Sequence, residues 1–196
     1  MNIKSNPKRE QILRTGKDLF WKFGIRRVTI EEICKEAGVS KMTYYKFFSN
    51  KMNLVKAILD RIYGDGIKAY RNIMDSDLPY TEKVIQTIHL KRDQTKAMSG
   101  EFFRDFLTHA EPEMVDYMEQ VKSKNIQMIA EDYTRAQKEG NIRKDVKVEF
   151  ILYFLNHVLE MSHDEKLIAL YDNPQDMIME LTKFFFYGVL DRDVHT

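Results

Sequence analysis

Thr29–Phe48 reads TIEEICKEAGVSKMTYYKFF, and the placement of capping residues within it decides the fold of the N-terminal part of the chain. Thr29 with Glu32 three positions later is a capping box: hydroxyl and carboxylate each satisfy an amide left free at a helix start. Ile30 and Ile33 share one face of that helix, with Cys34 and Ala37 beside them. Gly38 supplies the left-handed conformation that closes a helix at low cost. Ser40 is then the next N-cap, so only Gly38 and Val39 separate two short helices. This is the layout of a helix-turn-helix, whose second helix lies in the DNA major groove.

The second helix, Lys41 to about Phe47, is too short to stand alone and must be held by packing. Tyr44, Phe47 and Phe48 are the expected anchors, leaving Lys41, Met42, Thr43, Tyr45 and Lys46 outward. Lys, Thr and Tyr donate hydrogen bonds to phosphates, and Thr or Met can touch a thymine methyl. The alternative is an ordinary solvated face with two lysines. Charge favours DNA: residues 1–62 hold 14 Lys and Arg against six Asp and Glu, a formal +8. The remainder holds 17 against 24, or −7, so the overall +1 hides two oppositely charged parts. Such asymmetry points to a polyanionic partner for the basic part.

The flanks extend the pattern. Pro7–Gly24 carries Ile12, Gly16, Leu19, Phe20 and Phe23 at amphipathic-helix spacing. Ser49 and Asn50 offer a cap, and Lys51 opens a long helix containing Leu54, Ile58 and Ile62. Taken together, Leu19-Phe20, Gly24, Thr29, Ile33, Ala37-Gly38-Val39-Ser40, Tyr45, Phe47-Phe48, Lys51 and Leu54 resemble the N-terminal domain of the tetracycline-repressor (TetR) family of transcriptional regulators, over about the first 60 residues. Two positions depart from the family pattern. Gly16 stands where the first helix usually has Ala, at a cost of roughly 1 kcal/mol in helix propensity. Met42 stands where the recognition helix often has Gly, so it either probes a base edge or moves the helix outward.

Resemblance and donor chemistry together place Thr29, Lys41, Thr43, Tyr45 and Lys51 at phosphates, and Met42, Thr43, Tyr44 and Lys46 nearer the bases. Tyr44 thus reads both as an anchor and as a base-side residue. Lys4, Lys8 and Arg9 form either a basic arm or a frayed terminus.

Composition sets the wider frame. At 196 residues and 43% hydrophobic content, the chain can bury a substantial core. Eight Gly and four Pro, at Pro7, Pro79, Pro112 and Pro174 near expected helix starts, suit an all-α protein. We expect a helix-turn-helix domain over 1–50 and a larger helical regulatory and dimerisation domain over 51–196. The helix from Lys51 toward Met74 is expected to join them. Further helices are expected at Tyr80–Met98, Gly100–Ala110, Pro112–Glu139, Val148–Ser162 and Pro174–Leu190, with a short piece near Glu165–Tyr171. Cys34, the only cysteine, cannot form an intrachain disulfide and reads as a small core residue. The first residues, MNIKSNPKRE, lack an apolar signal core, and no apolar run reaches membrane-spanning length, so a cytoplasmic location is expected.

The last two long helices are apolar around most of their circumference and are therefore either core or interface. The resemblance implies that they pair with their copies in a homodimer, through Phe150, Phe154, Val158, Leu181, Phe184, Phe185 and Val189. A two-fold dimer would read two half-sites of a palindromic operator. The resemblance also implies a small-molecule effector in a cavity of the C-terminal domain. The candidates there are His89, Met98, Phe102, Phe103, Phe106, Met118, Met128, Tyr133, Tyr153 and His157, although Met and Phe at helical spacing also serve as plain core. A constitutive or architectural DNA-binding protein with no effector fits the same residues.

An enzyme is not expected. The five histidines are His89, His109, His157, His163 and His195. His157 and Glu160 stand one helical turn apart, but a metal site needs three or four convergent ligands. The chain has no Gly-rich phosphate loop, nucleophile elbow or paired-histidine zinc motif. No metal and no cofactor is expected.

Overall fold

The structure, a computed structural model, describes residues 6–108 and 112–190. Lys4, His109, Ala110 and His195, all part of the expectations above, lie outside the described residues. The described chain is helical, with one isolated antiparallel bridge between Ile142 and Leu190. Among the described residues no helix is long and apolar enough to cross a membrane.

Ten α-helices are described: α1 (Pro7–Phe23), α2 (Ile30–Glu36), α3 (Lys41–Phe47), α4 (Lys51–Met74), α5 (Tyr80–Thr95), α6 (Gly100–Phe103), α7 (Pro112–Lys138), α8 (Val148–Met161), α9 (Glu165–Ile168) and α10 (Pro174–Val189). A π-helical turn, Arg104–Thr108, follows α6, so the regular helix expected over Gly100–Ala110 is broken after one turn. The expected helix Tyr80–Met98 stops at Thr95, because Ser99 caps α6 through the Phe102 amide. Pro7 and Pro174 open α1 and α10 behind Asn6 and Asn173, whose side chains accept from Lys8 and Gln175 amides.

The chain divides into two compact units. The first comprises Met1–Ile67 with Ala97–Met114; the second comprises Lys68–Lys96 with Val115–Thr196. Burial explains the first unit's extent. Leu54, Val55, Ile58 and Leu59 of α4 are buried in it with Ile12, Leu13 and Phe20 of α1. Gly16 is what lets α1 and α4 approach: a Cβ there would lie 2.8 Å from Leu54 Cδ2. Its poor helix propensity is the cost of that contact.

Residues 97–114 join this unit because α1 holds them. Trp21 packs on Phe102 with ring centroids 4.2 Å apart, and the Ser99 amide donates to the Trp21 carbonyl at 2.9 Å. At Gly24, with φ +83°, a Cβ would lie 2.6 Å from Asp105 Oδ2, the same oxygen that accepts the Arg26 amide at 2.8 Å. Only glycine combines that backbone with that approach.

In the second unit Tyr133, Ala136, Ile142, Ile151, Val158, Phe185 and Val189 form a core, and Val84, Ile88 and Leu190 a smaller cluster. Asp132, buried beside that core, accepts from Tyr70 (3.1 Å), Arg71 (2.8 Å) and Arg135 (2.7 Å). A buried carboxylate is tolerated only when satisfied in this way.

Candidate nucleic-acid interface

Each half of the helix pair is built from its caps. The Thr29 amide donates to Glu32 Oε2 at 2.8 Å, and the Glu32 amide returns to Thr29 Oγ1 at 3.2 Å. Gly38 takes φ +61° and ends α2. Ser40 Oγ then accepts the Thr43 amide at 3.1 Å and lies 3.0 Å from Thr43 Oγ1. Thr29 therefore caps α2 with the hydroxyl that was expected to meet DNA, and the Thr43 hydroxyl meets that of the Ser40 cap. Each keeps an unfilled lone pair for a further contact.

Packing fixes which way α3 faces. Tyr44 is fully buried against Phe48, 5.8 Å between ring centroids, and its hydroxyl donates to the Asn50 carbonyl at 3.2 Å. Burial pushes its phenol pKa well above the ordinary value. The base-side expectation for Tyr44 is thereby corrected: this side chain is the anchor of α3. Phe47, also expected as an anchor, is only half-buried. The exposed face carries Lys41, Met42, Tyr45 and Lys46, with Met42 82% exposed. Lys41 pairs with Glu31 on α2, and this hydrogen bond holds the Glu31 carboxyl below, and the Lys41 ammonium above, their ordinary values.

Lys51, expected at a phosphate, also serves the fold. Its ammonium reaches back to the carbonyls of Ile25 (2.8 Å), Arg26 (3.2 Å) and Val28 (2.9 Å). Three carbonyls match the three donors of a lysine, so Lys51 clamps the turn between α1 and α2. No local signal foretells this, because the acceptors lie 23 to 26 residues upstream. Arg27, not singled out in the sequence, sits over the Phe23 ring at 4.6 Å and 3.7 Å from Glu32, beside the Thr29 cap. Of the candidate basic arm, Lys8 lies in the first turn of α1 and Arg9 rests over the Phe48 ring at 5.5 Å.

The expected effector residues are not brought together. Met98, Phe102, Phe103 and Phe106 belong to the first unit, where Phe102 and Phe103 are core and Phe102 stacks on Phe106 at 5.5 Å. In the second unit Tyr133 is core against Phe185, 6.1 Å between centroids, while Met118 and Met128 are half-buried on α7. Tyr153 and His157 stand on the exposed face of α8, with rings 4.3 Å apart and His157 Nδ1 2.7 Å from Glu160. His89 alone lines an open cleft, of about 530 Å³. Among the described residues no three His, Cys, Asp or Glu side chains cluster to hold a metal.

The expected interface residues divide in the same manner. Val158, Phe185 and Val189 are buried within the single chain and are core, which corrects that part of the expectation; Phe154 and Leu181 are half-buried against them. Phe150 and Phe184 are 57% and 71% exposed; Tyr153, expected at the effector cavity, and Tyr187 are 62% and 56% exposed.

A capped helix pair with an exposed, lysine-bearing second helix, inside a chain that is otherwise helical, defines the helix-turn-helix class. Residues 12–58 match the family described as bacterial regulatory proteins, tetR family. YerO, an uncharacterized HTH-type transcriptional regulator of Bacillus subtilis, is 31% identical over 104 residues, which are 53% of this chain and 33% of the relative. TtgR, an HTH-type transcriptional regulator of Pseudomonas putida, is 38% identical over 55 residues, 28% of this chain and 26% of the relative. The chain thus spans about a third or less of these curated relatives. The structure of the fatty acid degradation regulator FadR from Bacillus halodurans superposes with a TM-score of 0.72 over 94% of this chain and 97% of that one, at 16% identity. That likeness extends the shared fold through both units.

Proposed function

We propose that the protein is a sequence-specific DNA-binding transcriptional regulator that acts in the cytoplasm as a homodimer on a palindromic operator, and represses until a small molecule releases it. The observation that carries DNA binding is the outward face of α3, where Lys41, Met42, Tyr45 and Lys46 surround the buried Tyr44 anchor. Lys46 and Tyr45 donate to phosphates, Met42 meets a base edge, and Thr29 and Thr43 contribute their remaining hydroxyl capacity. Lys41 reaches DNA by exchanging Glu31 for a phosphate. Lys51 acts indirectly, by fixing the turn that precedes α2.

Dimerisation is supported by the aromatic side chains left in solvent on α8 and α10, Phe150, Tyr153, Phe184 and Tyr187. An exposed cluster of that size on a soluble helix pair fits a second copy of itself. A two-fold pair of α3 helices would engage half-sites about 34–36 Å apart. Ligand release is a population shift: moving a dimer from 1:99 to 99:1 requires about 5.5 kcal/mol of differential affinity. No catalytic role is assigned.

The test is footprinting and titration of the purified protein on the DNA upstream of its own gene, across a series of salt concentrations. Protection of an inverted repeat that weakens steeply with salt supports the reading. Weak binding, equal on the native and the scrambled sequence, contradicts it.

A further inference from the structure

We propose that the cleft between α5 and α10 binds an amphipathic anion, a carboxylate carried on an apolar body. Its volume, about 530 Å³, falls within the range of small-molecule sites, roughly 300–1,000 Å³. Two stripes face each other across it. Ile85, Ile88 and Arg92 recur along α5, ending in Lys96 at its C-cap, and Met179, Lys183 and Tyr187 recur every fourth residue along α10. The floor is apolar, because Ile88 belongs to a buried cluster against which Met179 packs. Gln175 closes one end, donating to the Arg92 carbonyl at 2.9 Å and to Thr95 Oγ1 at 3.2 Å.

Charge selects the head group. Two acids line the cleft: Asp93 meets Arg92 at 3.4 Å, and Asp176 lies in the first turn of α10, where the helix dipole favours an anion. Lys96 and Lys183 form no ion pair among the described residues. Both line the cleft with Arg92, whose exposed contact to its sequence neighbour Asp93 is weak and exchangeable. A carboxylate would satisfy these cations, and its apolar body would cover Ile85 and Met179. The binding claim rests on the cleft; its role as the effector site rests on the regulatory reading above.

The experiment is calorimetric titration of the full chain with decanoate, decanol and decyltrimethylammonium, each below its micelle concentration, alongside operator titrations. Decanoate is expected to bind saturably, one per chain, and at least tenfold more tightly than either control. Lys96→Met combined with Lys183→Met should weaken decanoate at least tenfold and leave decanol and ligand-free operator affinity unchanged. Ile85→Asp should weaken decanoate as well, through the floor. Equal binding of the three probes, no decanoate binding, or an unchanged affinity in the double variant overturns the site, and with operator affinity intact leaves the regulatory reading standing. Decanoate binding that leaves operator affinity unaltered supports the site and overturns its role as the effector site.

Discussion

Helix α3 and the pair α8 and α10 both expose large apolar side chains, but under different constraints. On α3 the exposed Met42 and Tyr45 alternate with Lys41 and Lys46, and one fully buried ring, Tyr44, sets the whole orientation. On α8 and α10, Phe150, Tyr153, Phe184 and Tyr187 are exposed while Val158, Phe185 and Val189 fill the core. The first surface carries lysines, a composition that suits a phosphate backbone. The second is aromatic, as a protein partner requires. One chain thus exposes two surfaces of different chemistry.

The largest expected effect separates core from surface on the second face. Phe185→Ala should cost about 3–5 kcal/mol of unfolding free energy, because it removes a buried ring, and urea denaturation measures it. Phe184→Glu should leave that stability nearly unchanged and instead weaken dimerisation by roughly 100-fold or more, the loss of one well-buried aromatic contact. Sedimentation velocity would detect the monomer. Equal losses of folding stability in the two variants would erase the distinction between these neighbouring residues.

Next comes the contrast between two lysines. Lys51→Ala deprives three carbonyls of one ammonium and should cost on the order of 1–2 kcal/mol of stability, at the lower end because the site is partly open to water. Lys46→Ala should leave stability alone and flatten the salt dependence of operator binding by about one unit of slope. A Lys51→Ala protein as stable as the parent but with the flatter slope would return Lys51 to the phosphate role.

Two smaller effects concern shape. Gly16→Val should destabilise the first unit by about 1–3 kcal/mol through overpacking against Leu54 and Ile58, seen as a lowered denaturation midpoint. Met42→Gly should leave binding to random duplex unchanged while altering base preference at one position of each half-site, by about 1 kcal/mol, as read by competition among single-base operator variants.

What the sequence disclosed follows from the range of the forces involved. The Thr29 box, Gly38 and the Ser40 cap act within four residues, so the helix pair and its faces were legible, as were most helix boundaries. Lys51 and Asp105 were not, because their partners lie 23–26 and 79 residues away. Tyr44 was read both as anchor and as base contact, since helical spacing alone cannot say whether a ring at a motif position turns inward. For the same reason Phe184 and Phe185, adjacent and identical in type, were assigned together to the interface. Only the packing of Phe185 on Tyr133 and Phe154 parts them. Residues 97–114 were placed with the C-terminal part because nothing near them in sequence announces Trp21.

The most direct test of the central claim is selection of binding sites from a pool of randomised duplexes by the purified full chain. The account predicts enrichment of an inverted repeat, with half-sites one helical turn or a multiple of it apart, and loss of that enrichment in Phe184→Glu. Recovery of no shared sequence, or of a single unrepeated half-site bound equally by both proteins, would contradict it.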